Sequence, residues 1–190
     1  PDYYQRKDLF VTALETLSDG GYVRTGYDHF SKPTDAVAKA MKEGRMRWNA
    51  LGVTAGRYAG VIGVGVHSYN TIGNHYFQNV YNVPEYQQVL ARGLFPIFRG
   101  HELNQDDLIR RDVIQTLRSF FSIDFVSIDE KYSINFENYF GKELAELNDF
   151  VADELVEIKD RAIIITGKGH QFANTVCYVF DNYKKDRPKF

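Results

Sequence analysis

The chain contains little sulfur and no long apolar segment. One of its 190 residues is a cysteine, Cys177. A single cysteine excludes an intrachain disulfide, and it cannot supply the three or four thiolates that hold an iron–sulfur cluster. No apolar run is long enough to cross a bilayer, and the opening PDYYQRKDLF has no apolar core typical of a signal peptide. We therefore expect a cytoplasmic protein without a membrane span.

An excess of positive charge is also missing. Lys and Arg together number 23 against 25 Asp and Glu, which gives a net charge of −2. This balance argues against a protein that binds nucleic acid through a basic surface. Hydrophobic residues make up 44% of the chain, enough for the core of one domain or of two small ones. The chain begins with Pro1 and a helical pattern follows at once, so we expect a segment of a longer protein.

The first hundred residues alternate helical and extended patterns, which is typical of an α/β fold. The predicted elements are a helix over 5–18, a strand over 22–25, a helix from Pro33 to Gly44, a helix from Pro84 to Arg92 and an extended segment over 94–103. The apolar run VIGVGV at 61–66 predicts a further strand that is buried on both faces.

The pattern changes after Leu103, so we place a domain boundary near residue 100, between 1–100 and 101–190. Asn104 is a predicted N-cap of the next helix. The later predictions are a helix ending near 121, helices over 126–132 and 136–147, two strands joined by a turn at 159–161, and a last helix capped by Thr166. This order resembles a winged helix. The candidate recognition helix is acidic, which favours a packing or lid domain over DNA binding.

Asp28 and His29 follow the predicted strand 22–25 in the sequence GYDHF. Many α/β enzymes place catalytic residues just after the carboxyl end of a strand. Alternatively, Asp28 holds the His29 ring and the pair fixes a turn. Gly63 and Gly65 lie in GVGVHSYNTIG without a GxGxxG motif, and they either line a pocket or permit tight packing.

Four segments, in this order, resemble oxygen-independent coproporphyrinogen III oxidase, a family of radical S-adenosylmethionine enzymes. They are GYVRTGYDHFSKPTDAVAKAMKEG, GVGVHSYNTIGNHYFQN, LNQDDLIRRDVIQTLRSFFSIDF and GKGHQFANTVCYVFDNY. The resemblance implies the closing elements of an incomplete TIM-like barrel with a connecting segment, followed by a winged-helix-like helical domain with a β-hairpin. It also implies oxidative decarboxylation of coproporphyrinogen III propionates to protoporphyrinogen IX in haem biosynthesis. S-adenosylmethionine and a [4Fe–4S] cluster are the cofactors of the full-length protein.

The resemblance also implies roles for particular residues. It places Asp28 and His29 at the pocket mouth as candidate catalytic residues. The candidate cofactor-binding residues are Asn49, Leu51, Gly63, Gly65 and Tyr69. The substrate's propionates need cationic partners, for which Arg24, Arg45, Arg47 and Arg57 are the candidates.

Two departures from the family pattern limit what this segment does alone. The CxxxCxxC cluster motif is absent, so the segment is expected to be inactive and to need the N-terminal barrel of the same protein as its partner. The family's Phe-Gln pair, associated with a second S-adenosylmethionine, is Ala50-Leu51, and an apolar position is Tyr69. These changes leave open a haem-binding chaperone or trafficking relative without oxidase activity.

Overall fold

The computed structural model describes residues 2–49, 52–56 and 58–184. The chain divides into two compact units, 1–57 with 112–190 and 58–111. These units do not follow the boundary predicted near residue 100. The division into domains 1–100 and 101–190 stays a prediction.

The chain begins with helices separated by short strands. The elements up to residue 54 are α1 (Tyr3–Asp19), β1 (Val23–Arg24), β2 (Phe30–Ser31), α2 (Ala36–Lys42), β3 (Arg47–Asn49) and β4 (Gly52–Thr54). Helix α1 starts with a reciprocal capping box, because the Asp2 side chain accepts from Gln5 N and the Gln5 side chain accepts from Asp2 N. Asp35 caps α2, so this helix starts later than the predicted Pro33.

The second unit is built around an antiparallel meander. Its elements are β5 (Gly60–Val61), β6 (Tyr69–Ile72), β7 (His75–Asn79), α3 (Val83–Ala91) and β8 (Ile97–Glu102), and the strand order in the sheet is β5-β6-β7-β8. Helix α4 (Gln105–Phe120) follows. The predicted cap of α4 is confirmed, because Asn104 Oδ1 accepts from Asp107 N at 2.9 Å.

The rest of the chain combines helices with a three-stranded sheet of order β10-β11-β9. Its elements are β9 (Ser122–Asp124), α5 (Phe125–Tyr132), α6 (Phe136–Tyr139), α7 (Gly141–Glu146), α8 (Asn148–Ala152), β10 (Val156–Lys159), β11 (Ala162–Ile165), a 3-10 helix (Gly169–Phe172) and α9 (Ala173–Val179). The helix predicted over 136–147 is therefore divided among shorter helices. Every strand pair that the described residues form is antiparallel.

Stacked phenylalanines form the centre of the core in this part. The ring centroids of Phe125 and Phe136 are 4.2 Å apart, and those of Phe136 and Phe140 are 4.7 Å apart. Phe180, from the end of α9, lies edge-on to Phe140 at 5.4 Å. All four side chains are buried, which ties α5, α6 and α9 together through a large apolar area.

The predicted buried strand at 61–66 is wrong. Only Gly60–Val61 is a strand, and the side chains of Ile62 and Val64 are 76% and 88% exposed. Gly65 has a φ of +109° and His67 a φ of +62°, so the chain turns here instead of continuing as a strand. No helix among the described residues has both the length and the apolar character needed to cross a membrane.

Candidate functional site

Asp28 and His29 lie in the turn between two paired strands. Strands β1 and β2 are antiparallel, and Thr25 N donates to His29 O at 2.8 Å across the turn. His29 Nδ1 lies 2.6 Å from Asp28 Oδ1, at ion-pair distance, although Nδ1 has no hydrogen-bond partner within the described residues. This contact favours the alternative in which the pair fixes the turn. A catalytic role for either residue stays a prediction.

Arg24 is bonded to the same turn. Its Nε donates to Gly26 O at 3.2 Å and to Tyr27 O at 3.0 Å. The guanidinium carbon lies 5.9 Å from the ring centre of Phe10 and 5.3 Å from that of Phe121. Burial lowers the pKa of Arg24, while Tyr27 and Asp28 act in the opposite direction. Part of its hydrogen-bonding capacity is therefore used within the chain.

His170 also belongs to the aromatic cluster around Arg24, and it was not among the candidates predicted from the sequence. Its ring stacks on Phe121 at a centroid distance of 3.8 Å. Burial, followed by the charge of Arg24, lowers the pKa of His170. His170 therefore prefers the neutral form next to the charged guanidinium. No sequence pattern connects residues 24, 121 and 170, so only the fold reveals the cluster.

The β3–β4 hairpin packs against His29. Asn49 pairs with Gly52 across it, and Asn49 Nδ2 donates to Thr54 Oγ1 at 3.2 Å. Gly52 has a φ of +106°, and a Cβ atom there would lie 2.6 Å from His29 Nε2. The predicted catalytic residue His29 thus lies against Gly52, the strand partner of the predicted cofactor residue Asn49. The predicted Leu51, its neighbour Ala50 and Arg57 lie outside the described residues.

The other predicted arginines of this unit are also held by the chain. Arg47 donates from one guanidinium nitrogen to Met46 O at 2.6 Å, and its guanidinium carbon lies 5.6 Å from the Phe120 ring centre. Arg45 forms an ion pair with Glu43. Propionate binding by Arg45 and by Arg47 stays a prediction.

A second arginine–aromatic pair lies close to the single cysteine. The Arg118 guanidinium stacks on the Trp48 ring at 4.1 Å, and Trp48 N donates to Ser119 Oγ at 3.0 Å. Cys177 is 1% exposed, and burial raises its pKa to about 12, against a smaller opposite effect of Arg118. A buried neutral thiol is a poor metal ligand. No group of three or more metal-ligating side chains occurs in the part of the chain that the structure describes.

In the second unit, Gly63 and Gly65 lie in a loop that side chains hold in place. Asn79 Nδ2 donates to Gly65 O at 2.9 Å and to Gly63 O at 3.3 Å. Gly63 N donates to Asn70 Oδ1 at 2.9 Å, and Gly65 N donates to the Tyr86 hydroxyl at 3.0 Å. Both glycine amides are therefore occupied within the chain. The amides of Gly63 and Gly65 are therefore not available to a ligand.

Gly63 also permits a close approach of the backbone. A Cβ at this position would lie 2.6 Å from Tyr69 O, so of the two functions predicted for these glycines, tight packing is confirmed at Gly63. Tyr69 is half exposed, with its ring 6.1 Å from that of His67. Tyr69, Gly63 and Gly65 thus share one unit, while Arg24, Asp28, His29, Arg47 and Asn49 share the other.

The chain is similar to known proteins over its whole length. The HemN C-terminal domain family matches residues 103–172. Oxygen-independent coproporphyrinogen III oxidase from Salmonella typhimurium is 34% identical over 190 residues, covering 100% of this chain and 41% of the relative. The enzyme of that name from Pseudomonas aeruginosa is 34% identical over 96% of this chain and 40% of its own length.

One solved structure has the same fold over this region. It is coproporphyrinogen III oxidase (HemN) from Escherichia coli, described as a radical SAM enzyme, with a TM-score of 0.89 and 34% identity. The alignment covers 96% of this chain and 42% of the solved one. The chain therefore spans about two fifths of the length of these relatives. The family resemblance drawn from the four sequence segments is confirmed.

Proposed function

We propose that this chain forms the C-terminal part of an oxygen-independent coproporphyrinogen III oxidase, the family to which its HemN C-terminal domain and its similarity over 190 residues connect it. The observation that carries the proposal is the fold match at a TM-score of 0.89 with 34% identity. The intact protein would decarboxylate propionates of coproporphyrinogen III, and we propose a cytoplasmic location for it.

In this proposal, residues 1–100 are the closing elements of an incomplete TIM-like barrel with a connecting segment. Residues 101–190 are a winged-helix-like domain, which the presence of the β10-β11-β9 sheet together with helices α5 and α9 supports. The parallel strands of such a barrel would come from the N-terminal part of the same protein. That part is the partner we propose for this chain.

The residues of this chain do not fit an iron–sulfur cluster. The sequence has one cysteine, and burial raises its pKa to about 12. In enzymes of this class, S-adenosylmethionine and a [4Fe–4S] cluster supply the radical chemistry. We assign the cluster ligands to the rest of the protein. This chain would contribute binding and orientation.

In the first unit, Asn49 on the β3–β4 hairpin is the residue that we propose for contact with S-adenosylmethionine. In the second unit, considered by itself, the 62–66 loop presents the exposed side chains of Ile62 and Val64. Because the amides of Gly63 and Gly65 are engaged, this loop would contact an apolar part of the cofactor or substrate. The Tyr69 side chain would reduce the space for a ligand at this loop. We propose Arg47 as a partner of the substrate's propionates, because its guanidinium carries the positive charge that a carboxylate needs.

The test uses the intact protein that contains this chain. With its cluster reconstituted, under anaerobic and reducing conditions, we expect it to convert coproporphyrinogen III to protoporphyrinogen IX. Cleavage of S-adenosylmethionine without decarboxylation of this substrate would contradict the assignment. Stoichiometric haem binding without turnover would favour the chaperone alternative, to which the Ala50-Leu51 departure points.

A further inference from the structure

We infer that His29 is a positioning residue whose imidazole fixes the β3–β4 hairpin, and that Arg24 fixes the turn from which His29 acts. The inference rests on the proposed function in one respect, the placement of Asn49 on the cofactor side. The contacts that carry it lie within the first compact unit and stand independently of that assignment.

The His29 ring is confined on two sides. Nδ1 is 2.6 Å from Asp28 Oδ1, and Nε2 is so close to Gly52 that a Cβ there would lie 2.6 Å away. The main-chain carbonyl of His29 accepts from Thr25 N, which fixes the backbone from which the ring extends. A ring with Nδ1 facing Asp28 and Nε2 facing Gly52 links the position of the turn to that of the hairpin.

The turn is fixed by Arg24. Its Nε bonds two successive carbonyls, Gly26 O and Tyr27 O, just before Asp28. The aromatic rings of Phe10 and Phe121 enclose the guanidinium and restrict its movement. Arg24 therefore acts through the turn, and we infer this role for it in place of direct contact with a propionate.

The β3–β4 hairpin is short, so the single contact between His29 and Gly52 is sufficient to fix its position. Asn49 pairs with Gly52, so only two residues connect the strands. Gly52 has no room for a side chain against His29, and its φ of +106° already favours glycine. A shift of Gly52 would move its partner Asn49.

The first experiment is a double-mutant cycle in the intact protein. Gly52→Ala is made in the wild type and in a His29→Ala background, and thermal unfolding is followed for all four proteins. The backbone strain at Gly52 is common to both backgrounds, whereas the contact with His29 is not. We expect Gly52→Ala to lower the Tm about 3 °C more in the wild type than in the His29→Ala background. Equal losses would mean that His29 moves aside freely, and would overturn the inference.

The second experiment separates the two nitrogens of the ring. The amide of Gln reaches the region of Nε2, and the amide of Asn only that of Nδ1. We expect His29→Asn to raise the Kd for S-adenosylmethionine about tenfold, and His29→Gln to recover most of that loss. Equilibrium dialysis with S-adenosylmethionine measures both. Equal weakening by Asn and Gln would contradict a positioning role through Nε2.

His75 provides the matched control. It also faces a carboxylate, with Nε2 3.9 Å from Glu102, but in the second unit. We expect His75→Asn and His75→Gln to leave the Kd within about twofold of the wild-type value. A wild-type protein that never decarboxylates coproporphyrinogen III would overturn the proposed function alone, because the unfolding cycle still reports on His29 and Gly52.

Discussion

Burial sets the chemistry of Cys177. The side chain lies in α9 and is 1% exposed, with Sγ 3.8 Å from Ile114 O. Removal from water disfavours the thiolate, which raises the pKa from 9.0 to about 12 even though Arg118 acts in the opposite direction. The thiol is therefore neutral at physiological pH. It contributes packing and not reactivity.

A pH dependence of stability follows from this shift. Below the unfolded pKa of 9.0 the protonated thiol contributes its full stability, which is lost as the pH rises toward the folded pKa of about 12. The slope due to Cys177 approaches about 1.4 kcal/mol per pH unit. We expect Cys177→Ala to lose stability less steeply than the wild type between about pH 8.5 and 10.5. Urea unfolding measures this, and parallel curves for the two proteins would contradict it.

At the scale of elements, the 3-10 helix Gly169–Phe172 depends on a close backbone contact. Thr166 Oγ1 accepts from Gly169 N at 3.0 Å at the start of this helix. The predicted capping of the last helix by Thr166 is wrong, because the N-cap of α9 is Phe172 and that of the 3-10 helix is Lys168. A Cβ at Gly169 would lie 1.9 Å from Leu155 O, which belongs to the backbone just before β10. The helix and the β10–β11 hairpin therefore meet where only glycine fits.

Gly169→Ala tests this contact against a nearby control. Because the obstructing atom is a backbone oxygen, something must shift, and we expect a loss of about 3 kcal/mol in the free energy of unfolding. Gly167→Ala is the matched variant, since a Cβ there meets nothing within 4 Å. Its effect should stay within about 0.5 kcal/mol. Chemical denaturation measures both variants, and equal losses would exclude the contact as the cause.

Local signals explain which elements the sequence predicts correctly. The β10–β11 hairpin has Asp160 and Arg161 at φ +51° and +56°, as a two-residue turn requires, and the sequence analysis predicted its turn at 159–161. The strand predicted over 61–66 is wrong. An apolar run in the sequence does not show whether a neighbouring strand is available to pair with it. Gly60–Val61 pairs with β6, and the chain then turns away.

Less of the candidate site than of the secondary structure could be predicted from the sequence. The sequence identified Asp28 and His29 as a pair, and their contact in a turn was one of its two alternatives. The approach of His29 to Gly52 and the enclosure of Arg24 by Phe10 and Phe121 depend on residues that are distant in the sequence. Such contacts follow from the packing of elements and leave no periodic pattern.

At the scale of the molecule, the second unit exposes many large apolar side chains. Val64 and Phe95 are both 88% exposed, and Ile62 is 76% exposed. Exposed apolar area on this scale is uncommon on a soluble monomer and typically marks an interaction surface. The chain spans about two fifths of the length of its relatives, so the isolated chain and the intact protein need not expose the same area.

We expect the isolated chain to bind the dye ANS through these side chains. Val64→Ser and Phe95→Ser together should reduce ANS fluorescence at least about twofold while changing the free energy of unfolding by about 0.5 kcal/mol or less, because neither side chain is packed. Val126→Ser removes a less exposed apolar side chain of α5 and serves as the control. Unchanged fluorescence in the double variant would contradict the prediction.

In the 62–66 loop, the residues whose hydrogen bonds hold the main chain are different from the residues whose side chains are exposed. Asn70, Asn79 and Tyr86 hold the main chain of Gly63 and Gly65, and none of these bonds involves the side chains of Ile62 or Val64. A substitution of the side chain at position 62 or 64 therefore removes none of these hydrogen bonds. These two positions are the natural places to randomise in a library that seeks altered ligand preference on an unchanged scaffold.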